Sequence, residues 1–272
     1  MQEFNIDHLR IVVVGTGNVA THLGDRIRAV GGAVTQVMGR NSHRVQALAK
    51  RWNCNGSLSF ATLVVDADLY LVAVTDDAIA EVGEALAAVA PHGLAAHTSG
   101  ATPGRIWQSY LPRHGVFYPL QTFSPDRRPD WRQVPICVDA AEALDRALLL
   151  QLARRMGGTA YEVNDDARAK LHVAAVFVNN FVNHCYYIGE QLCAANDLPF
   201  DLLRPLIQET AAKLRQANPA SAQTGPARRN DQRTISRHLD YLQAHPNWEA
   251  LYRQLTASIR ATYASLDTLP KK

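Results

Sequence analysis

The sequence predicts an α/β domain built on a doubly wound parallel sheet, followed by an all-helical domain. Three observations carry this expectation. Short β-branched apolar runs alternate with helical segments from Arg10 to about Val163. A glycine-rich turn, Gly15-Thr16-Gly17-Asn18-Val19-Ala20, follows the first run directly and opens a helix. Beyond Asn164 the strand signals stop and helical segments follow one another. The predicted domains are therefore 1–163 and 164–272.

The first strand is the run Ile11-Val12-Val13-Val14, short and β-branched as a strand buried on both faces requires. Residues 33–38, 69–74 and 94–97 repeat that signature, separated by helical stretches at 19–30, 43–52 and 78–89. Further strands are expected at 115–118, 135–138 and 160–163. Residues 124–133, with two prolines and five charges, read as a loop, and 140–156 as a helix. In the second part, 165–195 predicts one long helix with acidic residues in its first turn. Residues 201–216 and 231–244 each begin with Asp, and 246–266 begins with Pro, which suits a first helical turn. The stretch 218–226 is a turn-rich loop.

Composition narrows the function classes. The 272 residues carry 28 Lys plus Arg against 25 Asp plus Glu. Residues 1–163 hold 15 basic and 15 acidic side chains, and 164–272 hold 13 and 10, two of the basic ones being Lys271 and Lys272. So small an excess argues against a nucleic-acid partner. Cys54, Cys137, Cys185 and Cys193 lack the spacing of a metal site, and no metal is expected. Residues 1–9 lack the pattern of a secretory signal. The longest apolar stretch is interrupted by Asn179, Asn180, Asn183 and His184, so no membrane span is expected either. These readings predict a cytoplasmic protein.

The glycine-rich turn has the chemistry of a pyrophosphate site. Gly15 permits the tight turn, Gly17 lets the backbone approach the anion, and Ala20 allows close helix–strand packing. The helix N-terminus, with Thr16, Asn18 and Val19 around it, presents N–H groups. An NAD-selective site places a carboxylate at the end of the second strand; here the chain reads Gly39-Arg40-Asn41-Ser42-His43-Arg44. A guanidinium at Arg40 can grip a 2′-phosphate bidentately, and Ser42 can donate to it and cap the next helix. NADP is the expected cofactor, with NADPH preferred over NADH, and Asn41, Val74 and Thr75 complete its expected binding set.

Asp76 and Asp77, at the carboxyl edge of the sheet, read as helix caps ahead of catalytic acids. His97-Thr98-Ser99-Gly100 closes another strand at that edge. It could hold a carboxylate or carbonyl group, or be a polar turn with locally satisfied hydroxyls. On the long helix, about 100° per residue places His172, Val176, Asn179 and Asn183 within an arc of roughly 60°, with Lys170 nearly opposite. His172 is a plausible proton donor and Asn179 could orient substrate, although buried His and Asn can also simply join helices. Arg228 and Arg229 could bind an anion or meet a partner subunit, or lie solvated beside a capping Asp231.

Together these residues resemble a bacterial family of NADP-dependent oxidoreductases with a Rossmann-like N-terminal domain and a helical C-terminal domain of unknown function. The resemblance covers nearly the whole chain. It rests on Gly15 to Ala20, His97 to Gly100, Tyr118-Pro119-Leu120-Gln121-Thr122-Phe123-Ser124, His172 with Asn179, and Thr224-Gly225-Pro226-Ala227-Arg228. The wider class is similar to pyrroline-5-carboxylate reductase, the β-hydroxyacid dehydrogenases and prephenate dehydrogenase. This implies a Rossmann-type sheet, a helical domain of the 6-phosphogluconate-dehydrogenase C-terminal type, an interdomain cleft and a homodimer through the helical domain. One departure is the lysine role of β-hydroxyacid dehydrogenases: their Lys and Asn stand four residues apart, whereas Ala174 stands four after Lys170. Tyr118 stands where prephenate dehydrogenases have His, so no role transfers to it.

The combined expectation is an NADPH-dependent reductase acting on a C=O or C=N group of a small metabolite, which could carry a carboxylate. His172 would donate the proton, and Ser99 with Asn179 would position the substrate. The alternative is a non-catalytic NADP(H)-binding sensor or scaffold whose helical domain binds partners.

Overall fold

The computed structural model describes residues 6–89 and 92–267. The signal reading over residues 1–5 and the charges of Lys271 and Lys272 lie outside the described residues. The chain forms two compact units, Met1–Asn180 and Phe181–Lys272.

The first unit holds eight strands: β1 (Arg10–Val14), β2 (Ala33–Met38), β3 (Asn55–Ser57), β4 (Leu69–Val72), β5 (Leu94–His97), β6 (His114–Pro119), β7 (Pro135–Ala140) and β8 (Thr159–Glu162). They form one sheet in the order β3-β2-β1-β4-β5-β6-β7-β8. Helices α1 (Asn18–Ala29), α2 (Ser42–Trp52), α3 (Ile79–Ala88) and α4 (Ala143–Arg155) cover it. Because successive side chains on a strand point to opposite faces, β1 feeds two cores. Ile11 and Val13 pack with Leu23, Ile27 and Trp52, while Val12 and Val14 pack with Tyr70, Ile79 and Trp107. Ile11, Val12, Val13 and Val14 of β1 are all buried, which is why the strand reads as a continuous apolar run.

Two features of this mostly parallel sheet go beyond the expectation. β3 has no apolar signature; it exists as an edge paired in parallel with β2, Val37 against Gly56. The sheet is also mixed: β7 runs antiparallel to β6, and β8 runs parallel to β7. This reversal returns the chain to the opposite edge of the sheet before α5 (Asp165–Ala175) begins. Asn164 caps α5 by accepting from the Ala167 amide at 2.9 Å. Asp165 then accepts from the Gly104 amide at 2.7 Å and from Arg168 at 2.8 Å, and Arg168 donates to the Thr102 carbonyl at 2.6 Å. So anchored to the loop beyond β5, α5 rises about 10 Å from Asp165 to His172.

The expected single helix over 165–195 is not regular. A π-helical segment, Val176–Phe181, separates α5 from α6 (Val182–Ala194). Its i→i+5 bonding widens the turn, so the wheel that grouped His172, Asn179 and Asn183 does not extrapolate across it.

The second unit is helical, with α6, α7 (Arg204–Lys213), the one-turn α8 (Pro219–Ala222), α9 (Gln232–Leu242) and α10 (Pro246–Asp267). Asp201 falls in a short turn ahead of α7 and pairs with Arg204 at 2.5 Å. α8 lies inside the stretch expected to be loop. Asp231 caps α9 as expected, accepting from the Thr234 amide at 3.1 Å. Arg228 stacks 4.5 Å over the Tyr263 ring, so it is held in place. Leu202 and Leu206, near the start of α7 and within it, remain 64% and 63% exposed.

Candidate functional site

The glycine-rich turn separates two uses of glycine. Gly15 has φ +122°, and a Cβ there would lie 2.1 Å from the Ala73 carbonyl oxygen. Its own amide donates to the Met38 carbonyl at 2.7 Å, locking the turn between β1, β2 and β4. Gly17 has an ordinary φ of −81°, and a Cβ there would meet nothing within 4 Å. The protein itself therefore gives no steric reason for glycine at position 17. The first turn of α1 has no side-chain cap and no acidic residue to use its positive end. An open cradle at an uncapped helix N-terminus fits a dinucleotide pyrophosphate. Ala20 is fully buried in the core, the packing role expected of it, and does not line the cleft.

That cradle opens into a cleft of about 1040 Å³, every lining residue of which lies within the first unit. Gly15, Thr16, Gly17, Asn18 and Val19 line one part of it, with Val74 and Thr75 from the end of β4 beside them. Arg40, Asn41 and Arg44 line it beyond β2. Neither arginine makes an ion pair among the described residues, and no carboxylate stands at this strand end. Two unpaired guanidinium groups here suit a 2′-phosphate. Ser42 is not in the cleft lining, and the expected cap shifts by one residue: Asn41 accepts from the Arg44 amide at 3.0 Å. Asp76 and Asp77 lie in the first turn of a short 3₁₀ helix and provide no side-chain cap.

His172 and Asn179 also line this cleft. So does Asn180, which the helical wheel left out and the wider π turn brings in. The His172 Nδ1 lies 3.2 Å from the Tyr118 hydroxyl, the two rings edge to face with centroids 6.0 Å apart. Burial raises the Tyr118 phenol above its ordinary pKa, so it is protonated at neutral pH. The loop that follows Tyr118 at the end of β6 is tied back to the phosphate helix. Asn18 Nδ2 donates to the Phe123 carbonyl at 3.0 Å, His22 meets the Ser124 carbonyl at 2.9 Å, and the His22 and Phe123 rings lie 5.2 Å apart. Gln121 and Thr122 of that loop line the cleft.

The His97 to Gly100 turn is a polar turn with internal partners. Ser99 is buried and absent from the cleft lining; its Oγ accepts from the amides of Ala101 and Thr102 at 3.1 and 2.9 Å. His97 is fully buried against Trp107, and its Nδ1 accepts from the Ser99 amide at 3.2 Å. Burial, with the charge of Arg168 adding to it, lowers its pKa to about 4. Arg168, 1% exposed, escaped sequence reasoning; only its i, i+3 spacing from Asp165 hinted at the pair.

Residues 10–94 match the family described as NADP oxidoreductase, coenzyme F420-dependent, and residues 134–259 match a domain of unknown function, DUF2520. No curated protein matches the chain. A structure from Bacteroides fragilis, described as a "putative NADP oxidoreductase", is 36% identical over 94% of this chain and 100% of that one, with a TM-score of 0.89. A 1-pyrroline-5-carboxylate reductase from Streptococcus pyogenes shares the fold at 11% identity, over 94% of this chain and 99% of that one, with a TM-score of 0.63. The pyrroline carboxylate reductase of Plasmodium falciparum, solved with NADP bound, shares it at 12% identity and a TM-score of 0.57, over 95% of this chain and 100% of that one.

Proposed function

The chain belongs to the NADP-dependent oxidoreductase family, and from that premise we propose that it is an NADPH-preferring reductase of a C=O or C=N group in a small metabolite. The observation that carries this reading is one cleft that holds both the open phosphate cradle at Gly17 and the imidazole of His172. The amides at the start of α1 bind the pyrophosphate, and Arg40 with Arg44 binds the 2′-phosphate. When bound, the nicotinamide supplies a hydride to the substrate carbon. His172 donates the proton that the substrate oxygen or nitrogen then requires. Asn179 and Asn180 offer amide donors and acceptors that orient the substrate.

We further assign the reaction to the cytoplasm, where NADPH and free thiols such as the four cysteines here both occur. The working form is a homodimer through the helical region. Exposed Leu202, Leu206 and Tyr187 there favour a partner surface.

The test is NADPH oxidation by the full chain across keto acids, imines and semialdehydes, followed by His172→Ala on any substrate turned over. Retained NADPH affinity with lost turnover is expected of the variant, and undiminished turnover removes His172 from the mechanism. Tight NADPH binding with no turnover across the panel favours a sensor. Light scattering that finds a monomer at micromolar concentration refutes the dimer.

A further inference from the structure

We propose that Tyr118 is the positioning residue of His172, holding the imidazole by Nδ1 so that Nε2 carries the transferable proton. This rests on the reading of His172 as proton donor. Three observations support it. The Tyr118 hydroxyl is 3.2 Å from Nδ1 and has no other hydrogen-bond partner among the described residues. His172 Nε2 has no partner among them either. The third lies beneath the pair, at Gly100: a Cβ there would stand 2.5 Å from His172 Nδ1, 2.6 Å from Tyr118 Cζ and 2.9 Å from its hydroxyl. Gly100 thus has the one side chain that lets the two rings meet.

The elements holding the pair are fixed independently. Tyr118 sits on β6, opposite Cys137 of β7, and α5 is anchored through Asp165 and Arg168 in the two turns before His172. The charged and titratable groups that act on the Tyr118 phenol are Cys137, Arg168 and Asp76. A protonated phenol donates to the Nδ1 lone pair and selects the tautomer with hydrogen on Nε2. That is the second-partner logic by which one ring nitrogen sets the task of the other.

The test is ¹⁵N NMR of histidine-labelled full chain at mildly alkaline pH, with His172→Gln identifying the His172 resonances. The expected wild-type ring is wholly the Nε2–H tautomer, with Nδ1 displaced by its hydrogen bond. Tyr118→Phe returns Nδ1 to the position of a free acceptor nitrogen. Gly100→Ala, which keeps the hydroxyl but wedges the rings apart, does the same. NADPH dissociation constants, measured on the same samples, stay within twofold of wild type in Tyr118→Phe. An Nδ1 resonance unmoved by Tyr118→Phe, or a neutral wild-type ring that exchanges between tautomers, overturns the assignment. Failure of the wild type to bind NADPH counts instead against the cofactor reading.

Discussion

Replacing Gly17 by alanine separates a ligand-imposed glycine from a fold-imposed one. A methyl at position 17 meets no protein atom within 4 Å, and φ −81° with ψ −175° is open to any L-residue. Two small terms bear on stability. Alanine narrows the unfolded ensemble, worth about 0.4–1 kcal/mol in favour of the fold. It is also a poorer helix cap than glycine, at a similar cost of about 1 kcal/mol. The terms offset, and Tm should move by less than about 4 °C for a chain of this size. The methyl does occupy the space through which an anion reaches the first amides of α1. Losing hydrogen bonds to a charged group costs about 1.5–3 kcal/mol, so NADPH should bind roughly 10- to 150-fold more weakly. Gly15→Ala is the control: its Cβ would sit 2.1 Å from the Ala73 carbonyl oxygen at φ +122°, so this variant should lose stability outright. Fluorescence titration with NADPH and thermal melts on the same preparations provide both readouts. Wild-type NADPH affinity in Gly17→Ala would refute the cradle, and a collapsed melting temperature would show that the fold itself requires this glycine.

Arg40→Ala should weaken NADPH binding by about 1.5–3 kcal/mol while changing NADH little, because only the former carries the 2′-phosphate; equal losses in a paired titration would remove that role. Ser99→Ala should lower stability by about 1 kcal/mol in chemical denaturation, since two part-buried hydrogen bonds to its Oγ are lost, and leave NADPH affinity unchanged. Acid should destabilise the fold through His97. Its pKa lies near 4 in the native state against 6.5 unfolded, so below pH 6.5 the unfolded chain gains a proton that the native chain refuses. Stability from this source is complete above pH 6.5, falls as pH drops toward 4 and then levels off, for a total of about 3 kcal/mol. Denaturation midpoints of wild type and His97→Asn across that window should converge toward low pH, and parallel curves would exclude the mechanism.

The parts of the site legible in the sequence are those encoded locally. Ile11 to Val14 followed at once by Gly15 to Ala20 specifies strand, turn and helix within ten residues, and Arg40 is found by counting to the next strand end. Legibility stops where tertiary pairing decides. β3 is an Asn-Gly-Ser edge that only β2 defines, and the reversal of β7 follows a long loop compatible with either direction. Ser99 and His97 have the residue types of a substrate site, but packing turned both inward to serve their own backbone. The Tyr118–His172 contact joins positions 54 apart on a strand and a helix, so no periodicity points to it. Asn180 was missed for a geometric reason: the constant angle per residue fails across a π turn.

The tie between Asn18 and Phe123 also bears on the order of events during turnover. Asn18 is the first residue of α1, so a dinucleotide seated on its amide also steadies the loop from Tyr118 to Ser124. The entropy of ordering that loop is then spent when the cofactor binds, and the second ligand meets a prepared surface. Initial-rate patterns should accordingly show ordered addition, dinucleotide first. The oxidised dinucleotide should compete with NADPH and not with the substrate.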